Sequence, residues 1–320
     1  MITASRRDVV LSGAAAAAIT GFAVPLTIIG SANAQKAPAG FAKFKVGDIE
    51  VTTVSDGVWE KAHDPAFIKN ASVDDTKAAL KAAGLTDAFV PIPFTVTIVK
   101  SGGRTIMFDS GTGAQMAPTA GKFAENLKAA GIDPASISTI IVTHFHPDHI
   151  FGLMAKDTNA QVYPNAEIIV PAAEYAFWTD PAVIGKLPEA RQGLAKRIQA
   201  TLPTWKNIRQ IAADADAVPG IKALASYGHT PGHTSYVMGS GDKSLIVLSD
   251  VSNIQALFVK NPGWHAAFDA DPVMAEANRR KMFDRAIADK ANVTGYHYGM
   301  PGAGTMAKDG TGYALVPVSG

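Results

Sequence analysis

Three of the chain's eight histidines and an aspartate fall between His144 and His149, in Thr143-His144-Phe145-His146-Pro147-Asp148-His149. They directly follow Ser138 to Val142, a β-branched run that reads as a strand buried on both faces. The chain contains no cysteine. Disulfide frameworks, zinc fingers, iron–sulfur clusters and cysteine nucleophiles are therefore excluded, and any metal must be held by imidazole and carboxylate. In an extended segment, residues two apart share a side. His144 and His146 can thus grip one ion, while Asp148 and His149, beyond Pro147, turn toward a second.

Further ligand types lie just beyond other apolar runs: Gly228-His229-Thr230-Pro231-Gly232-His233-Thr234, Leu248-Ser249-Asp250 and Tyr296-His297-Tyr298. Loops collected at one sheet edge and held by a rigid scaffold are the expected place for such a site. Period-two patterns predict strands over 44–46, 49–54, 94–99 and 105–108, with Gly102-Gly103 as a hairpin turn. Further strands fit 138–142, 167–170, 221–226, 235–238, 244–248 and 293–296, and helices fit 122–130 and 272–289. Strands and helices mix in both halves without regular βαβα alternation, and no linker divides the chain. The reading is one α+β domain.

Residues 1–34 read as an address. Arg6-Arg7, an Ala-rich uncharged stretch and Ala32-Asn33-Ala34 before Gln35 are the parts of a twin-arginine export signal. The expectation is a leader over 1–34, a single domain over 35–320, and a periplasmic or secreted mature protein without stable membrane association. Losing Arg6, Arg7 and Asp8 with the leader leaves basic and acidic groups equal in number. No broad basic field exists to hold nucleic acid.

With His144-x-His146-x-Asp148-His149, His233, Asp250 and His297 in hand, the chain resembles the metallo-β-lactamase-fold hydrolases over essentially all of residues 40–320. Within that superfamily it is similar to the methyl parathion hydrolase group and its dihydrocoumarin-hydrolase relatives. The stretches Val218 to Ser226 and Gly228 to His233 and the tail Gly312 to Val318 carry the finer resemblance. It implies a four-layer αβ/βα sandwich, with two mixed sheets flanked by helices. It also implies two divalent ions, zinc in the first instance, with manganese, cobalt or iron as alternatives. His144, His146 and His233 would hold one ion, Asp148, His149 and His297 the other, and Asp250 would bridge. Asp109 would stand behind a ligand histidine; its alternative role is closing a tight turn beside Gly111. His229 is placed behind the ligands or in a structural role. The family is often dimeric, which makes Phe41 to Val46 a candidate homodimer interface.

The resemblance implies a hydroxide shared by two ions as nucleophile, with Asp148 and Asp250 as catalytic carboxylates. Quorum-signal lactonases of this fold carry a tyrosine three residues after the bridging aspartate; here Asn253 stands there, and Tyr298 is the only nearby substitute. Without a proton donor, a leaving group of low pKa is easier to expel. This favours aryl esters, aryl lactones and organophosphate triesters as small-molecule substrates over the alternative, acyl-homoserine lactones. Phe145, Trp178 and Phe258 are the candidate pocket walls, with Phe177 and Trp264 beside them, and the 257–265 stretch is a candidate lid. Glyoxalase II, antibiotic-hydrolysing and persulfide dioxygenase readings fit less well. The short Gly-rich tail lacks a glutathione-holding region, Asp250 adds a carboxylate the second class lacks, and the third typically holds one metal. A non-catalytic binding protein is the remaining alternative.

Overall fold

The computed structural model describes residues 40–318. The expected leader over 1–34 lies outside these residues. β1 (Phe41–Val46), β2 (Ile49–Lys61), β3 (Val90–Ser101) and β4 (Arg104–Phe108) run antiparallel, with tight turns joining β1 to β2 and β3 to β4 and the longer 62–89 stretch joining β2 to β3. β5 (Ile137–Ile141), β6 (Glu167–Pro171) and β7 (Ile208–Ile211) then add in parallel, completing a mixed seven-stranded sheet. The second sheet comprises β8 (Asp216–Val218), β9 (Ile221–Ala225), β10 (Thr234–Met238), β11 (Leu245–Val247), β12 (Asn292–Thr294), β13 (Ala303–Asp309) and β14 (Gly312–Pro317), also in sequential order. Its single parallel pair is β11 with β12; the others are antiparallel.

Burial divides these elements into layers. Val51, Val99, Ile106, Phe108, Ile141 and Ile169 of the first sheet meet Ile221, Ala223, Tyr236, Met238, Leu245 and Val247 of the second. These positions alternate along their strands, as two sheets packed face to face require. The outer face of the first sheet is covered by α1 (Val73–Ala82), α2 (Phe123–Ala129), α4 (Ala172–Thr179) and α5 (Glu189–Thr201) through Leu80, Leu127, Trp178 and Ile198. The outer face of the second is covered by α6 (Pro272–Ala288) through Met282, Phe283 and Ala286. One-turn helix α3 (Pro147–Ile150) follows β5. The expected helix–sheet–sheet–helix arrangement is the observed one.

Three departures from the sequence reading have local causes. β2 and β3 are longer than their patterns suggested, and the added part of β3 holds Pro91 and Pro93. They sit in the part of β3 that pairs with β2 but lies beyond the reach of β4, so no neighbouring strand needs their missing N–H. The β13–β14 hairpin went unread because its Ala, Gly and Lys give little β signal. Helices α1, α4 and α5 lack a clean apolar stripe; α1 is instead fixed at its start by a Ser72–Asp75 capping box.

Candidate active site

The clustered residues sit where strands end. Phe108 is followed by Asp109, Ile141 by the 143–149 turn, Val247 by Asp250 and Thr294 by His297. His229 lies in the loop joining β9 to β10. Two cross-sheet hydrogen bonds draw the loops together: Thr234 N–H to the Thr143 carbonyl (3.1 Å) and Tyr236 O–H to the Val142 carbonyl (3.0 Å).

Three overlapping donor sets result, each with its ligand atoms within 4.8 Å of one another: His144, His146, His229; His144, His149, Asp250; and Asp148, His149, His297. Asp250 is the common centre. Its Oδ2 lies 2.9 Å from His297 Nε2 and 3.3 Å from His229 Nε2, and its Oδ1 lies 3.3 Å from His149 Nε2. Asp148 Oδ2 lies 3.2 Å from His149 Nε2 and 3.5 Å from His297 Nε2.

Groups behind the rings decide which nitrogen faces the centre. His149 Nδ1 donates to Asp109 Oδ2 (2.8 Å), His297 Nδ1 to the Pro93 carbonyl (2.8 Å) and His229 Nδ1 to Asp269 Oδ1 (2.9 Å). With the proton held on Nδ1, the Nε2 lone pair is turned inward. Asp109 also accepts from Thr143 N–H and Oγ–H, both at 2.8 Å, so it closes the turn and orients the histidine at once.

His144 Nε2, His149 Nε2 and Asp250 Oδ1 are buried without a hydrogen-bond partner. Unpaired buried polar atoms are costly, so three converging in one place call for a cation. The set is nitrogen and oxygen only, which suits zinc and similar divalent ions.

The two ends differ in charge. Burial, reinforced by neighbouring imidazoles, holds His144 and His146 well below the usual histidine range. His149 and His297 are pushed up despite burial, because Asp148, Asp250 and Asp109 surround the first and Asp250 faces the second. Burial alone would raise Asp250 and Asp148; the facing histidines bring both below the usual carboxylate range.

His233 does not join the donor sets; His229, four residues earlier in the same motif, does. His233 Nδ1 meets Ser226 Oγ (2.9 Å) and the Ser226 carbonyl (3.1 Å), and its Nε2 accepts from Asp250 N–H (3.1 Å). Burial pushes its pKa down to about 3, so it stays neutral and can accept that bond. The local reason is that β10 begins at Thr234, so His233 is tied to the strand start, while His229, earlier in the loop and held by Asp269, turns its Nε2 to the donor sets. That loop threads between two helix starts. A Cβ on Gly232 would lie 2.1 Å from Glu174 N, and one on Gly228 2.3 Å from Ala275 N.

Three buried groups that no sequence pattern announced support the edge. Glu174 Oε1 accepts from Phe145 N–H (2.9 Å) and Trp178 Nε1 (2.7 Å); its Oε2 accepts from Thr230 Oγ (2.7 Å) and Gly232 N–H (2.9 Å). One carboxylate thus clamps both histidine loops. Arg279 joins Asp269 (3.3 Å), the partner of His229, to the Val251 carbonyl (2.9 Å) beside Asp250.

The donor sets open into a cleft of about 330 Å³. Its walls are Trp59, Ile92 and Phe94 from β2 and β3, Met116, Arg191 and Leu194 from α5, Asn253 and Phe268. The expected walls are not there. Phe145 packs against Tyr175 in the core, Trp178 is buried behind His146 with its ring centre 6.4 Å away, and Phe258 is sealed against Phe67 and Arg279. Phe177 and Trp264 also lie outside the cleft lining. Alternation along β5 and its turn explains Phe145: with His144 and His146 on one side, it must face the other. Leu257 and Phe258 are fully buried and form no lid. Tyr298 is buried outside the cleft.

Among curated proteins the chain is similar to an N-acyl homoserine lactonase from Bacillus sp., 30% identical over 156 residues that make up 48% of this chain and 54% of that protein. The chain thus spans about half the length of the curated relatives it matches. Among solved structures it is similar to the hydrolase AbOPH of the beta lactamase superfamily, with TM-score 0.80 and 27% identity, covering 89% of this chain and 99% of that one. It is also similar to AidC, a dizinc quorum-quenching lactonase in complex with a product, with TM-score 0.76 and 26% identity, covering 88% of this chain and 98% of that one. Residues 92–285, more than half of the chain, match the Metallo-beta-lactamase superfamily, and the protein belongs to that superfamily.

Proposed function

We propose that this protein is a hydrolase dependent on two divalent metal ions, zinc in the first instance, acting on small esters and lactones. His144, His146 and His229 would hold one ion, Asp148, His149 and His297 the other, and Asp250 would contact both. The observation that carries this reading is the convergence of unpartnered His144 Nε2, His149 Nε2 and Asp250 Oδ1 within the overlapping donor sets. Bound there, the ions supply Lewis acidity and make water nucleophilic near neutral pH.

The chain's own groups do the rest. Asp148 and Asp250, held ionised by the facing histidines, offer carboxylate oxygens to take a proton from water. Trp59, Phe94 and Phe268 enclose the substrate and exclude bulk solvent. A cleft of about 330 Å³ matches a small molecule.

Asn253 lines the cleft beside Asp250, and no tyrosine is among the lining residues. This supports substrates whose leaving group departs without protonation: aryl esters, aryl lactones and organophosphate triesters, as in the methyl parathion hydrolase group. The second reading is N-acyl homoserine lactone hydrolysis, favoured by what the similar curated proteins are named to act on. The zinc-loaded chain, assayed on phenyl acetate, dihydrocoumarin, methyl paraoxon and an acyl-homoserine lactone, decides between them. Higher kcat/KM on the acyl-homoserine lactone than on the aryl substrates overturns the first reading. Bound zinc of about two per chain, falling in Asp250→Ala together with turnover, is expected; full activity in that variant sinks both.

A further inference from the structure

Away from the histidine–aspartate edge, the cleft wall is apolar except at Asn253 and Arg191, and Arg191 alone is charged. Arg191 is the third residue of α5, where the helix dipole disfavours a cation. Its Nη2 donates to the Phe268 carbonyl at 2.9 Å and reaches the Ala267 carbonyl at 3.5 Å. Among the described residues no carboxylate lies within ion-pair distance of it. Asp269, the acid whose charge reaches Arg191, is engaged by His229 and Arg279. Burial lowers the Arg191 pKa, and Arg191 lines the same cleft as the ligand His146. A half-buried guanidinium with one nitrogen bound to neutral carbonyls retains Nε and Nη1 donors and an uncompensated charge.

We infer that Arg191 is a specificity-determining residue, and that its free N–H groups receive a carboxylate carried by the substrate away from the scissile bond. The cleft is then shaped for acidic esters and lactones: flat apolar bodies lying against the packed Trp59–Phe268 pair, whose ring centres are 6.4 Å apart, with an anionic end at α5. This rests on the hydrolase reading for the substrate but not for the anion site. A purely structural Arg191 would only pin Phe268.

The zinc-loaded full chain is titrated by calorimetry with 4-acetamidobenzoate and with its methyl ester, amides that keep the shape of the corresponding acetoxy esters. The carboxylate is expected to bind about tenfold or more tightly than the ester, as a charge-assisted hydrogen bond allows. In Arg191→Met and in Arg191→Gln, which can still donate to the Phe268 carbonyl, the two affinities come within about twofold, while Arg191→Lys keeps part of the preference. In turnover of 4-acetoxybenzoate against its methyl ester, the ratio of KM values collapses in the same variants. Three results overturn the proposal: no preference in the unaltered chain, a preference that survives Arg191→Gln because the carboxylate sits at the metal ligands, or equal loss on both compounds. If neither ester is hydrolysed but the calorimetric preference holds and vanishes in Arg191→Gln, the hydrolase reading fails and the anion site stands.

Discussion

The ligand edge and the cleft wall face each other but are built differently. The edge is held by buried carboxylates with full donor sets: Glu174 and Asp109 with four each and Asp269 between His229 and Arg279. The wall around Phe268 hangs on a half-exposed strip. There Asn70 bonds Gly263 O and His265 N at 2.8 Å each, Ala267 N donates to Phe67 O, and His265 and Arg280 share Glu276 on α6. Buried charged bonds leave little freedom, whereas exposed ones exchange readily with water. The chemistry is therefore fixed in place while the surface that chooses a substrate remains adjustable.

The edge is tested most severely by its two motif histidines. His229→Ala is expected to remove one of two bound metals and lower kcat/KM by about 10³-fold or more, on the scale of losing a site's main electrostatic support. His233→Ala should keep metal content but lose about 1–3 kcal/mol of stability, because Asp250 N–H and Ser226 are left without a partner. Metal analysis beside denaturant unfolding separates them, and the opposite pattern would return His233 to the ligand set. Glu174→Gln comes next. Its amide must direct N–H groups at buried donors, so metal affinity should fall about tenfold to a hundredfold with an intact far-UV spectrum. Unchanged affinity would mean the clamp is redundant.

On the wall, Phe268→Ala should raise KM several-fold and leave the metal content at that of the unaltered chain, about a lost aromatic contact of 1 kcal/mol or so. A change in metal content would erase the distinction between the two regions. The smallest effect belongs to Glu276. Burial alone would raise its pKa, but the His265 and Arg280 hydrogen bonds bring it below the ordinary glutamate value. A depressed carboxylate contributes stability that is full above its unfolded pKa and is lost as pH falls through its folded one. Glu276→Gln should therefore flatten the acid limb of the stability curve below the usual glutamate range by no more than about 0.5 kcal/mol, given solvent screening. Unfolding measured at pH 6 and in that acid range tests this.

The same contrast governs what the sequence discloses. His144, His146, Asp148, His149, Asp250 and His297 are rare residue types placed just beyond β-branched runs, so their spacing alone marks a site. Choosing between His229 and His233 needs to know where β10 starts, and a motif containing both histidines does not say. Glu174, Asp269 and Arg279 look like ordinary charged residues; only the approach of segments 28 to 58 positions apart gives them these partners. The wall was misread for a related reason. Phe145 lies between His144 and His146, and adjacent residues in extended chain point apart; Trp178 in α4 and Phe258 after Asp250 turn into the core, whereas the walls Trp59, Phe94 and Phe268 come from distant segments.

Val247 and Thr294 are directly paired in the parallel β11–β12 ladder, and Asp250 and His297 each follow three residues later. Their alignment is thus dictated by strand register and not by the length of chain running through α6. Lengthening the exposed end of that connection, or cutting it there and joining the termini elsewhere, should leave the two side chains facing each other. A one-residue deletion after Val247 should part them.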